Sequence, residues 1–218
     1  MQWVQGNLDL IWQLSLVHVT QSLAALLIGF AVSLPLGWVA WRYRLLRLPV
    51  VGGTGLLYTI PSLALLMMLP LAIGYPATSP QNLVAALVIY AVAILVRSVV
   101  DGLDSVPRDS RRAAKAMGYG PFRLFFGVTL PLSGPVVLSG LRIAAVSTVS
   151  LATVGVLVGV TNLGYLFTNG LQRRIVPEVL AGIVAVVVIA LLMDRALVLL
   201  GKLLMPWLRV ETGQKTSK

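Results

Sequence analysis

Five apolar runs dominate this chain, each about 18 to 27 residues long and so able, at ~1.5 Å per residue, to cross a ~30 Å hydrocarbon layer as a helix. They fall near Leu14 to Trp41, Gly55 to Ile73, Leu83 to Val100, Val136 to Val160 and Val179 to Leu200. Runs of this length with so few charges belong in a membrane rather than a soluble core. The expected fold is therefore an all-α integral membrane protein of about five spans, one membrane domain over 14–200 with a short polar tail over 201–218. Pro61 and Pro70 interrupt the second run. Prolines within a span are tolerated where neighbours or water satisfy the freed carbonyls, and such breaks line pathways about as often as they are packing kinks.

Of the 218 residues 58% are hydrophobic and only 11% charged, with a formal charge of +10. That excess could suit a nucleic acid, but the cations gather between the apolar runs, which instead orients a bundle and argues for a lipid partner and no nucleic acid. One set of loops holds Arg42, Arg44, Arg47, Arg108, Arg111, Arg112, Lys115 and Arg123, and the tail holds Lys202, Arg209, Lys215 and Lys218. The opposite side holds Arg173 and Arg174. The positive-inside rule then sets the N-terminus outside and the C-terminus inside. The first residues lack the basic start of a cleavable signal peptide, so the first run is expected to be a retained span.

Few residues are available for chemistry. There is no cysteine and one histidine, which removes thiolate and imidazole metal clusters, and no cofactor is expected in the chain. The glycine-rich Gly52 to Gly55 lacks the lysine of a phosphate-binding loop, so ATP is not hydrolysed here by that route. The chain is not expected to be an enzyme. The acidic residues, Asp194 and Glu178 included, are placed in loops or at span ends, and Arg97 and Arg142 within snorkelling reach of the inner face. His18 reads as a packing residue. The fourth run is different: Ser147, Ser150 and Thr153 recur every third position, a small polar face that is either helix-helix glue or a lining for solute.

The longest polar island, Arg112 to Pro131, lies between the third and fourth runs on the basic side. Ser105 and Pro107 signal a helix start, Ala113, Ala114 and Ala116 favour helix, and Gly118 is a natural stop. Pro121 opens a second short helix carrying Phe122, Leu124, Phe125 and Phe126, which Pro131 is expected to end before the chain re-enters the membrane.

The spacing Ala113-Ala114, Gly118, then Val128-Thr129-Leu130-Pro131 resembles the coupling motif of bacterial ABC importer permeases. Arg112 stands where that family usually has glutamate, and Val128 replaces isoleucine. Ile60 to Leu65, Leu87 to Leu103 and the stretch Val158 to Gly164 are similar to segments of the permeases that import glycine betaine, choline or carnitine. The resemblance implies a paired second permease, identical or paralogous, two ATPase subunits holding ATP and Mg, and a separate extracytoplasmic binding protein, all in the bacterial cell membrane. It further implies that Arg112, Ala113, Ala114 and Gly118 shape the helix that meets the ATPase, with Leu130 and Pro131 at its exit and Asp109 a local partner for Arg112. Pro61, Ser62, Ser147, Ser150 and Thr153 are the candidate path residues. Two other readings stay open: a permease for amino acids or another small polar solute, and an ATP-independent oligomeric carrier or channel.

Overall fold

The computed structural model describes residues 2–207, and these form helices and turns with no strand among them. The order is α1 (Gln2–Gly6), α2 (Leu8–Arg42), α3 (Arg44–Tyr58), α4 (Ser62–Ile73), α5 (Pro80–Ser105), α6 (Arg108–Ala116), α7 (Pro121–Leu124), a π-helical turn (Phe125–Thr129), α8 (Leu130–Ala152), a 3-10 turn (Thr153–Val158), α9 (Gly164–Gln172) and α10 (Val176–Leu204). Four continuous helical stretches are long and apolar enough to span a membrane: Leu8–Arg42, Pro80–Ser105, Pro121–Val158 and Val176–Leu204.

The remaining apolar helices, α3 and α4, form a bent pair. The run expected as a single span over Gly55 to Ile73 is α3 and α4, bent by 113° where Pro61 interrupts the ladder. Pro61 has no N–H to donate and favours extended backbone before it, so the helix restarts rather than continues. Contacts with α5 follow the break along its length. Arg47 of α3 reaches Asp104 at 2.6 Å, Tyr90 Oη donates to the Ile60 carbonyl at 2.5 Å, and Asn82 Nδ2 donates to the Leu66 carbonyl at 3.0 Å. The Ile60 carbonyl at the break is therefore met by a side chain of α5.

Helix α5 is the axle of the bundle. Ser79 caps it by accepting from the Asn82 backbone N–H at 3.1 Å, and Pro80 fills the first turn, where a missing donor costs nothing. Leu83, Leu87, Leu95, Val96, Val99 and Leu103 are all buried. Helix α2 packs on it at backbone distance: a Cβ at Gly29 would lie 2.6 Å from the Ala91 Cβ, and one at Gly37 2.5 Å from the Val99 Cγ1. Lipid tails are as apolar as leucine, so it is close packing through such small residues that favours this neighbour over lipid.

Three boundaries differ from those read in the sequence. Ser105 is the last residue of α5, its hydroxyl bonded back to the Gly102 carbonyl, and α6 begins after Pro107. Pro131 does not end a helix. It sits in the first turn of α8, where its ring is accommodated, and the chain runs through the π turn directly into the membrane stretch. The last helix continues past Leu200 to Leu204, and the tail expected over 201–218 lies outside the described residues from 208 onward.

Candidate functional site

Helix α6 is nine residues long and stops where Gly118 adopts φ +83°, with the Tyr119 N–H donating to the Ala114 carbonyl at 3.1 Å. This is the left-handed exit that glycine accepts and a β-branched residue resists. Ala113 is exposed, whereas Ala114 is buried against the rest of the chain. Arg112 pairs with Asp109 at 3.5 Å, one turn back, but both side chains are largely in solvent, so the pair contributes little. Arg111 is held more firmly, donating to the Val106 carbonyl at 3.0 Å with its guanidinium 5.6 Å above the Trp41 ring.

The aromatic part of the island docks on α2. Phe125 meets Trp38 edge-on at 6.1 Å and Phe126 at 5.0 Å, and Arg123 lies 4.6 Å over the Tyr119 ring. The π turn accommodates this packing, and the Thr129 hydroxyl satisfies the Leu124 carbonyl at 3.3 Å. Leu130 and Pro131 follow as the first turn of α8.

The candidate path residues gather elsewhere. Ser150 lies about 30 Å along α8 from Leu130 at ~1.5 Å per residue, which is a membrane thickness from the island. Ser150 is exposed, Ser147 and Thr153 half-buried, and the Thr153 hydroxyl returns to the Ser150 carbonyl at 2.7 Å. At Thr153 the helix tightens to 3-10 and turns at Gly159, and α4 packs against that turn: Leu65 and Leu66 share a cluster with Ala152 and Val158. Pro61 and Ser62, at the start of α4, are thereby tied to the region of Thr153 and separated from Arg112 to Gly118.

Asn162 holds the turn together. Its Nδ2 donates to the Ala152 carbonyl at 2.7 Å and to Gln21 Oε1 at 3.1 Å, while its Oδ1 accepts from the Gly164 N–H at 2.8 Å. His18 is fully buried, with Nε2 donating to the Val149 carbonyl at 2.9 Å, as a packing residue should.

One acidic residue departs from the sequence reading, and a second is placed as expected but buried. Asp194 is not at a span end but about 15 Å inside α10, where Arg142 of α8 binds it through two bonds of 2.6 and 3.0 Å. Arg142 itself lies about 18 Å along α8 from Leu130. Glu178 is at a span end, in the first turn of α10, and there it is fully buried, accepting from Asn169 Nδ2 at 2.5 Å. Apolar residues on both sides of Asp194 were the available signal for its depth.

The family described as the binding-protein-dependent transport system inner membrane component matches residues 22–209. The chain belongs to this family. Among its relatives, the osmoprotectant import permease protein OsmW of Salmonella typhimurium is 32% identical, over 79% of this chain and 82% of that protein. The glycine betaine/carnitine/choline transport system permease protein OpuCD of Bacillus subtilis is 30% identical, over 87% and 82% respectively. An inward-facing structure of the MetNI methionine ABC transporter superimposes with a TM-score of 0.80 at 21% identity, covering 90% of this chain and 97% of that one. As an inner membrane component of this family the chain is a permease subunit, and its overall fold is one already seen in an ABC transporter.

Proposed function

We propose that this chain is the transmembrane permease subunit of an ATP-driven importer for quaternary ammonium osmoprotectants such as glycine betaine, choline and carnitine. The observation that carries the reading is that a relative named for osmoprotectant import and one named for glycine betaine, carnitine and choline transport align over 79% and 87% of the chain. Orientation follows the basic loops: the end bearing α6 faces the cytoplasm and the N-terminus faces out. ATP and Mg then belong to two ATPase subunits that meet the exposed side of α6, near Ala113 and Gly118. Arg112, basic where the family usually has an acid, faces an altered contact there. Closure of the ATPases pushes α6 and rocks two permeases between inward and outward access, a rigid-body switch. Solute passes the region of Pro61, Ser62, Ser147, Ser150 and Thr153, delivered by a separate binding protein.

The test is uptake of labelled glycine betaine, choline, carnitine and amino acids by cells lacking and regaining the gene, alongside purification of the chain with its neighbours. Restored uptake of a quaternary ammonium solute, with an ATPase co-purifying, is expected. Uptake restricted to amino acids would reassign the substrate, and transport by the chain alone would remove the ATP-driven reading altogether.

A further inference from the structure

Beneath α6 lies a cavity of about 1070 Å³, bounded by the last turns of α2, by α6 and by the π turn. Its lining is of two kinds: the half-buried Leu34, Trp38, Phe125 and Leu130 with Pro35 beside them, and the cations Arg42, Arg108, Arg111, Arg112 and Lys115, all but Arg111 exposed. Among the described residues no acidic side chain lines it. Arg108 and Lys115 form no ion pair among the described residues, and Asp109 approaches Arg112 alone.

At 100° per residue, the four cations of α6 fall on one stripe about 100° wide. Ala113 and Met117, both exposed, lie on the opposite side. The helix thus has two addresses: a small, nearly uncharged face free to meet protein, and a cationic face turned over an aromatic and aliphatic hollow. Trp38 and Trp41 mark the level at which aromatic side chains sit between headgroup and hydrocarbon. An occupant matching both kinds of lining has a negative head and a hydrocarbon body. Small-molecule pockets usually fall between about 300 and 1,000 Å³, so the volume suits an occupant at least that large. A protein segment would need several acids next to a long apolar side, whereas a basic pocket beside membrane helices suits a lipid headgroup as it stands.

We infer that this cavity binds an anionic phospholipid, its phosphate met by Arg108, Arg111 and Lys115 and its chains by Leu34, Trp38 and Phe125. Arg111 is pre-positioned for this by the Val106 carbonyl and the Trp41 ring, which hold the guanidinium while leaving donors for phosphate. The site requires no particular solute and stands apart from the substrate assignment.

The test places the full-length chain, alone and with any ATPase that co-purifies, in nanodiscs of equal phosphatidylglycerol and phosphatidylcholine, and counts retained lipids by native mass spectrometry. Each cation near an anionic headgroup contributes about fivefold. The intact chain should retain phosphatidylglycerol with at least about tenfold preference, falling as ionic strength rises. The triple variant Arg108→Gln, Arg111→Gln, Lys115→Gln should come within about twofold of parity, whereas Arg173→Gln with Arg174→Gln should leave the preference unchanged. The salt titration needs no variant, so a misfolded triple variant does not protect the idea. Three results would overturn it: no preference in the intact chain, a preference that survives the triple substitution in folded protein, or loss of ATPase capture by the triple variant with lipid retention unchanged. The last would assign the cavity to the ATPase.

Discussion

Helices α5 and α10 are both long and strongly apolar, and each has a proline in its first turn, yet 61% of the apolar stretch of α5 is buried within the chain against 6% for α10. Hydrophobicity does not separate them because lipid and protein interior are equally apolar. What separates them is how much of each helix its neighbours cover. Gly29 and Gly37 bring α2 onto Ala91 and Val99 of α5, and Gly102 of α5 admits Val137 of α8. Helix α10 turns Leu180, Val184, Val187 and Leu191 away from the chain, and joins it along α8 and α9. One helix is specified by fit and the other by solvent.

If fit specifies α5, the largest loss should come from filling one of its close contacts. Gly37→Leu places atoms where Val99 already lies, and overpacking of this kind costs about 3 kcal/mol. Solubilised protein should show a clearly lowered melting temperature and reduced recovery of monodisperse material. A melting curve like that of the unaltered chain would mean that α2 and α5 separate freely, and the contrast with α10 would fail.

Asn162→Ala should follow. It removes three hydrogen bonds at the 3-10 turn and strands the Ala152 carbonyl away from water, at a cost of about 1–3 kcal/mol. Asn162→Asp keeps the acceptor for the Gly164 N–H but loses the donors, so thermal melting should group it with the alanine variant. If Asp behaves as Asn does, the acceptor alone sustains the turn.

Much of this architecture was legible because length and charge avoidance are read directly: the long spans, the break at Pro61, and the stop at Gly118 all follow from local rules. The depth of Asp194 was not, since a charge in an apolar run reads as an end until its partner is known. Arg142 lies 52 positions earlier, and only the packing of α8 on α10 brings the two together. Pro131 misled for a related reason. A proline ends a helix at one place and begins it at another, and the π turn before it decides which. Ala114 and Ala113 are alike in sequence, but burial of one leaves the other to face outward. The candidate site was thus visible as a motif, while its two-sided character came from the cavity beneath it.

The Arg142–Asp194 pair tests whether α10 is joined to the bundle by charge as well as by shape. Asp194→Asn should lower the melting temperature by leaving Arg142 without its carboxylate, and Arg142→Gln should do the same from the other side. The exchange Arg142→Asp with Asp194→Arg should recover most of either loss. Additive losses in the exchanged protein would show that each charge answers to something other than its partner.

Gly118→Val separates stability from coupling. The left-handed turn costs an L-residue about 1–2 kcal/mol, but α6 lies at the edge of the bundle and no atom lies within 4 Å of the position a Cβ would take. Membrane insertion and melting should change modestly, whereas solute-stimulated ATP hydrolysis in the assembled importer should be lost. Retained stimulation would mean that the exit geometry of α6 is not transmitted to the ATPase.

The smallest effect is expected on α10. Val187 is half exposed on the face turned away from the chain, and trimming it to alanine removes contact with lipid or detergent rather than with a neighbour. Exposed substitutions away from special features usually stay within about 0.5 kcal/mol, and Val187→Ala should melt with the parent. Measured in detergent and again in bilayers, the variant also asks what covers this face. Equal stability in both means that lipid alone suffices. A drop confined to the assembled permease pair would place a protein surface against Val187, and α10 would then be specified by fit after all, with its partner in another chain.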